Sequence, residues 1–204
     1  NFDFHVGSLD LVFPLGENEN ALCLAAFGKP LARNWLNCEA VYEDGQKVGG
    51  AHGLRLTIDE LLDSGYTGRE IRFWLLSTHY SRPLTFSEEK LLQARKSIAR
   101  LDRFTEALKS HSGGKPLGEL DQILYDLKNS FQKALDDDLS ISAALSAVFG
   151  LVKRVNALMA GGAIDEKGCE KVAEAVKRVN EVINIFDFAP KAQDTEVAFL
   201  LRER

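Results

Sequence analysis

Several groups of residues are of types that can do chemistry. His5, Gly7 and Asp10 lie in His-Val-Gly-Ser-Leu-Asp, which reads as a strand end. An imidazole, a carboxylate and a backbone open to close approach suit a small ligand there, although a plain strand and turn uses the same residues. Glu17 and Glu19 flank Asn18 and could ligate a metal, or could serve as first-turn carboxylates of a helix. His52 and His79 share the first part of the chain with Cys38, but no spacing suggests a Cys–His catalytic pair. Asp136, Asp137 and Asp138 could bind a divalent cation, or could be a solvated cluster at a helix start. Lys96, Arg100 and Arg103 recur at i, i+4 and i+7, so they share one helix face. They could contact phosphates, or form an ordinary solvated face. The sequence has no GxGxxG, no GxxxxGK[ST] and no GxSxG.

These residues need elements to hold them. Val41 to Val48 reads as a hairpin with Asp44-Gly45 at its turn. Gly49, Gly50 and Gly53 then make a loop around His52. Thr57 and Glu60 form a capping box that opens a short helix, and Gly65 closes it. A second short helix is predicted over Arg69 to Thr78, and Ser81-Arg82-Pro83 breaks the chain. From Ser87 onward the pattern is helical. Ser87 caps a long helix with Glu88 and Glu89 in its first turn and Leu91, Ile98, Leu101, Phe104 and Leu108 on its inner face. Further helices are predicted over Leu117 to Leu135, Ser142 to Met159 and Asp165 to Phe186, with a last helical piece over Thr195 to Arg204.

The chain has 204 residues, 45% of them hydrophobic and 27% charged, enough for one large domain or two small ones. Net charge is −5, which argues against a protein held to nucleic acid by bulk charge but leaves room for a local basic face. The residues before Ser87 carry −4 and those from Ser87 on carry −1, a shift that fits two units, 1–86 and 87–204. Cys23, Cys38 and Cys169 form no CxxC pair, so a disulfide framework is not expected and a reducing cytoplasm is the default. No uninterrupted apolar run approaches about 18 residues, so no membrane span is expected. The chain starts at Asn1 rather than Met, which suggests that a first half lies elsewhere.

Five ordered blocks resemble the cysteinyl-tRNA synthetase family. Asn1 to Glu19 resembles F-D-I-H-G-G-G-x-D-L-x-F-P-H-H-E-N-E. Trp35 and Val41 match the strand region that follows, and Asp59, Glu60 and Leu61 match the helix after the signature lysine loop. Arg72 to Ser87 resembles R-Y-F-L-x-S-x-H-Y-R-x-x-L-x-Y-S, and Ala134 to Leu139 resembles A-M-D-D-D-F. The resemblance implies α/β followed by all-α. Residues 1–86 would be the closing half of a class I Rossmann-like catalytic domain with its stem-contact region. Residues 87–204 would be an antiparallel helical bundle that contacts tRNA. It further implies ATP as cosubstrate, with His5, Gly7, Asp10 and Gly50 near the nucleotide, Lys47 as the surviving lysine of the K-M-S-K-S loop, and a cytoplasmic monomer.

The same resemblance marks departures. The family's H-I-G-H signature and zinc cysteines are expected upstream of Asn1. The family's zinc is held by two Cys, a His and a Glu. Glu19 matches the Glu, but the His position is Leu15 and its neighbour is Gly16, so no family-type zinc is expected. The lysine loop aligns with Lys47-Val48-Gly49-Gly50-Ala51, so its second lysine is Gly50. Losing one such donor to a developing oxyanion costs about 3–4 kcal/mol of transition-state stabilisation. Val6 and Ser8 replace two glycines of the ligand-side segment. The expected function is that of a cysteinyl-tRNA synthetase-like protein inactive by itself. The alternative is a degenerate paralogue that binds RNA or protein without catalysis.

Overall fold

The computed structural model describes residues 1–49 and 56–188. Gly50 and His52, the Pro190 region and the helical piece expected over Thr195 to Arg204 lie outside the described residues.

The chain opens with a βαβ unit: strand β1 (Phe2–Ser8), helix α1 (Glu17–Phe27) and strand β2 (Ala32–Cys38). The two strands pair in parallel, with Phe2 opposite Ala32 and Ser8 opposite Cys38. Parallel strands normally lie in sheets covered on both faces. Here Phe2, Phe4 and Val6, which share one face of β1 by the period of two, are each more than 60% exposed. No residue of α1 is buried. As expected, Glu17 and Glu19 occupy the first turn of α1.

Strands β3 (Val41–Glu43) and β4 (Gln46–Lys47) form the expected hairpin, and β5 (Leu84–Phe86) adds to β3 in parallel. Asp44 and Gly45 both have positive φ, as a two-residue primed turn requires. Helices α2 (Ile58–Asp63) and α3 (Gly68–Leu75) each begin at a full capping box, Thr57 with Glu60 and Thr67 with Glu70. Helix α3 ends at Leu75 rather than Thr78, because the N–H and hydroxyl of Ser77 both turn back to the Trp74 carbonyl.

Four long helices follow: α4 (Glu88–Ser110), α5 (Leu120–Asp136), α6 (Ile141–Ala160) and α7 (Glu166–Ile183). The Ser87 hydroxyl accepts the Lys90 N–H, the cap read from sequence. Helix α5 starts at Leu120 rather than Leu117. Helix α7 stops at Ile183 rather than Phe186, where Asn184 turns left-handed and the Asn180 side-chain oxygen takes the N–H groups of Ile185 and Phe186. The bundle core is continuous, with Leu101, Phe104, Val148, Val152, Val155, Val172 and Val176 all essentially inaccessible. Helix α6 is long and apolar enough to cross a membrane by length and composition, but its inner face forms the centre of this core and it carries Lys153 and Arg154.

A second, smaller core joins α2, α3 and β5 to the first turns of α4 through Leu61, Ile71, Trp74, Leu84, Leu91 and Ala94. This cluster runs across the 86/87 junction. Two ion pairs reinforce it. Arg95 reaches Glu70 at 3.0 Å and the Gly65 carbonyl, while Arg69 ties α3 to Asp102 of α4 and to the Ile185 carbonyl.

Candidate functional site

Three residues of the first unit converge at the end of β1. The strand leaves His5 and Gly7 on its inward side and runs into a short helical turn at Leu9–Leu11 that carries Asp10. The β3–β4 hairpin delivers Lys47 to the same place, with its Nζ 2.5 Å from Asp10 Oδ2. Asp10 also accepts the Ser8 hydroxyl. The hydrogen bond from Lys47, followed by that from Ser8, holds the Asp10 carboxyl below its usual range, and Asp10 in turn raises Lys47. Both side chains are about half exposed, so an incoming anion can reach the ammonium. Lys47 and Asp10 are 37 residues apart, and their contact is a product of the fold. Gly7 is extended, and a Cβ there would meet only the His5 ring at 3.5 Å, so this conformation does not require glycine. With Val6 and Ser8 beside it, β1 runs unbroken.

One turn behind Asp10, His5 stacks on Trp35 of β2 with ring centroids 4.2 Å apart, and its Nε2 lies 3.6 Å from the Glu19 carboxylate. The His5 Nδ1 is buried with no hydrogen-bond partner among the described residues. Gly16 packs beneath Trp35, where a Cβ would come 3.4 Å from the ring. A tetrahedral zinc site needs four N, O or S donors. This region supplies His5 and Glu19, while Leu15 and Gly16 bring none, and no group of three candidate ligands occurs among the described residues. The residues present do not fit the zinc of the family.

The three cysteines are free, and burial pushes the Cys169 thiol up, which makes it unreactive. The aspartate triplet is neither a cation site nor a helix start. Asp136 ends α5, and Asp138 and Leu139 sit at left-handed φ in the turn before α6. That turn is clasped from the first unit. Tyr80 Oη donates to Asp138 Oδ1 at 2.6 Å, and His79 Nε2 lies 2.6 Å from the Asp138 carbonyl. The Ser81 N–H points at His79 Nδ1, which leaves Nε2 as the donor. The Asp138 hydrogen bond is the main cause of the raised Tyr80 pKa. His79 and Tyr80 belong to the block read as H-Y-R, but nothing in the local pattern pairs them with a turn 58 residues away.

Lys96, Arg100 and Arg103 are all exposed on α4. None forms an ion pair with the described residues, whereas Arg69, Arg95, Arg154, Lys171 and Arg178 all do. Between Lys90 and Arg103 the only carboxylate is Asp102, and Arg69 holds it. Like charges at i, i+4 destabilise a helix slightly, so an unpaired run of three stores repulsion that an anion relieves.

The comparisons with known proteins match two segments of the chain. Residues 1–96 match the family model for the class I (C) tRNA synthetase catalytic domain, and residues 130–187 match the DALR domain. A cysteine–tRNA ligase of Geobacter sulfurreducens is 38% identical over 200 residues, covering 94% of this chain and 41% of that protein. Cysteine–tRNA ligases of Protochlamydia amoebophila and Chlamydia abortus are 31% and 32% identical, covering 99% and 100% of this chain and 43% and 44% of those proteins. The chain thus spans about two fifths of the length of these curated relatives. Among solved structures, the LeuRS of a LeuRS–tRNA–LeuAMS ternary complex from Agrobacterium radiobacter K84 shares the fold, with a TM-score of 0.59 over 90% of this chain and 26% of that one, at 14% identity. With a class I (C) catalytic segment followed by a DALR segment, and cysteine–tRNA ligases 31–38% identical to it along 94–100% of its length, this chain is cysteinyl-tRNA synthetase-like.

Proposed function

We propose that this chain supplies the RNA-contacting part of a cysteinyl-tRNA synthetase and the closing half of its catalytic site, as a cytoplasmic monomer. The family reaction is ATP-dependent attachment of cysteine to tRNA. In this reading residues 87–204 are the tRNA-contacting domain, with Lys96, Arg100 and Arg103 on phosphates. Residues 1–86 hold the stem-contact region and one side of the ATP site. There His5, Gly7 and Asp10 lie by the nucleotide, Gly50 is assigned to it by the family resemblance alone, and Lys47 stabilises charge developing on pyrophosphate. Asp10 keeps the Lys47 ammonium in place until phosphate competes for it. Glu19 is the one family zinc-ligand position that keeps a carboxylate, and it is paired with His5.

The observation that carries the RNA reading is the run of unpaired cations on α4 in a chain of net charge −5. The test is the affinity of the chain for a transcribed cysteine tRNA across a salt series. Binding should weaken as salt rises. Changing Lys96, Arg100 and Arg103 together to Ala should lower the log–log slope by about 2–3, near 0.7–0.9 for each phosphate no longer neutralised. No binding at low salt would overturn the reading and favour the second one, a paralogue with a protein partner, for which Leu15 and Gly50 speak.

A further inference from the structure

The cationic run on α4 has a neighbour that the sequence pattern does not connect to it. Phe149 of α6 lies in the groove between α3 and α4. Phe73 meets it edge-on at 6.1 Å and 87°. The Arg100 guanidinium covers its ring, with Cζ 5.3 Å from the centroid. An aromatic face attracts a cation and restricts where it points without using any of its N–H donors. Arg100 is therefore restrained over the ring while none of its five donors is taken by a described residue, whereas a long unsupported arginine would lose more rotamer entropy on binding. One helical turn further along α6, on the same face, stands Lys153. It is exposed and makes no ion pair with the described residues. Its neighbour Arg154 points to the other side of α6, toward Glu119 just before α5. Helix α6 has no Asp or Glu anywhere from Ile141 to Ala160. Arg100 thus lies on Phe149, with Lys96 and Arg103 one turn to either side of it on α4 and Lys153 one turn along α6; between Lys96 and Arg103, and along α6, the one carboxylate is Asp102, which Arg69 holds.

We propose that α4 and α6 form one composite site for the phosphate backbone of a folded RNA, in which Lys153 is a direct phosphate contact and Phe149 positions Arg100. This rests on the RNA reading above and adds to it a second helix, a fourth cation and an aromatic positioning residue. Two strips on adjacent helices can bridge successive phosphates of a curved backbone, whereas a single strip follows a straight line. Neutral ligands lack the charges that would use all four cations, whereas an RNA backbone carries one on every nucleotide.

The test uses the 204-residue chain and a transcribed cysteine tRNA, with affinity measured at several salt concentrations. Lys153→Ala should weaken binding about three- to tenfold and lower the log–log salt slope by about 0.7–0.9. Phe149→Leu should weaken binding about two- to fivefold, roughly the worth of an exposed cation–π contact. It should have no further effect in an Arg100→Ala background, and Phe149→Tyr should retain parental affinity. Far-UV circular dichroism identifies any Phe149→Leu protein that fails to fold, and the exposed Lys153 provides a readout free of that problem. If Lys153→Ala keeps both affinity and slope while the triple α4 variant loses them, the composite site is wrong and the RNA reading stands. If Phe149→Leu and Arg100→Ala are additive, Phe149 does not act through Arg100. If the unaltered chain shows no salt-dependent binding, the RNA reading falls and the composite site falls with it.

Discussion

The helical part and the βαβ part of this chain treat their apolar residues in opposite ways. From α4 to α7, nearly every apolar residue at inward helical spacing is buried, and Leu101, Val152, Val155 and Val172 are fully inaccessible. From β1 to α1, Phe2, Phe4, Val6, Phe13, Leu22 and Phe27 are all between 60% and 80% exposed. The βαβ stretch is the more apolar of the two by residue count, so composition does not explain the contrast. A helix bundle closes on itself, because each helix finds a facing stripe within about 20–30 residues of chain. A parallel sheet needs strands and helices on both sides, and among the described residues β1 and β2 have only α1. The bundle therefore closes its core, leaving Tyr125 and Val182 exposed at a groove between α5 and α7, and the βαβ segment is a surface that wants a cover. Its chemical groups share that state. Lys47, Asp10 and Glu19 are each about half exposed, and His5 about a third.

That contrast can be broken by stability measurements, and the largest expected effect is in the bundle. Leu101→Ala should cost about 2–5 kcal/mol in urea unfolding followed by helical circular dichroism. Phe4→Ala, at an exposed strand face, should cost well under about 1 kcal/mol. A large loss at Phe4 would mean that the open face is covered, for example by a second copy of the chain.

Next comes the seam between the two cores. Burial alone would raise Glu70, but the hydrogen bonds from Arg95 and the Thr67 N–H outweigh it and hold the carboxyl below its usual range. The unfolded chain binds its proton at higher pH than the folded one. The stabilisation is therefore complete above the ordinary glutamate pKa near 4.5 and is lost as pH falls through the lower folded value. Arg95→Met should cost about 1.5–3 kcal/mol at pH 7, since it strands a nearly buried carboxylate. It should also flatten that acid limb. An unchanged acid limb would show that another group carries it.

The smallest effect is expected at the clasp. Tyr80→Phe should cost about 0.5–1.5 kcal/mol, and Asp138→Ala somewhat more, since it also puts Ala at a left-handed φ. Because both remove the same hydrogen bond, the double variant should cost less than the sum. Strict additivity would show that the 2.6 Å hydrogen bond carries no coupling.

The features legible in the sequence are those decided within a few residues. The Thr57–Glu60 box, the Asp44-Gly45 turn and the Ser87 cap are local hydrogen-bond solutions, and all three stand as read. Thr67 and Glu70 carry the same box signal, legible by the same rule. The inner face of α4 follows from spacing alone, because a period of 3.6 fixes which side chains face inward. What could not be read depends on distant partners. Asp138 looks like one of three solvated carboxylates until Tyr80 reaches it from 58 residues away. Phe149 looks like one more core residue until Arg100 lies across it. Lys47 owed its significance to the family resemblance, and its fixed position owes everything to Asp10, 37 residues earlier.

The most direct test of the contrast between a closed bundle core and an exposed half-site is cysteine-dependent ATP–pyrophosphate exchange by the 204-residue chain, with metal content measured on the same sample. The expected result is exchange at background level and no stoichiometric zinc, since Leu15 and Gly50 stand where the family has a histidine ligand and a lysine, and the 204 residues contain no H-I-G-H. Exchange within tenfold of an intact synthetase, or one zinc per chain lost on Glu19→Ala, would contradict it.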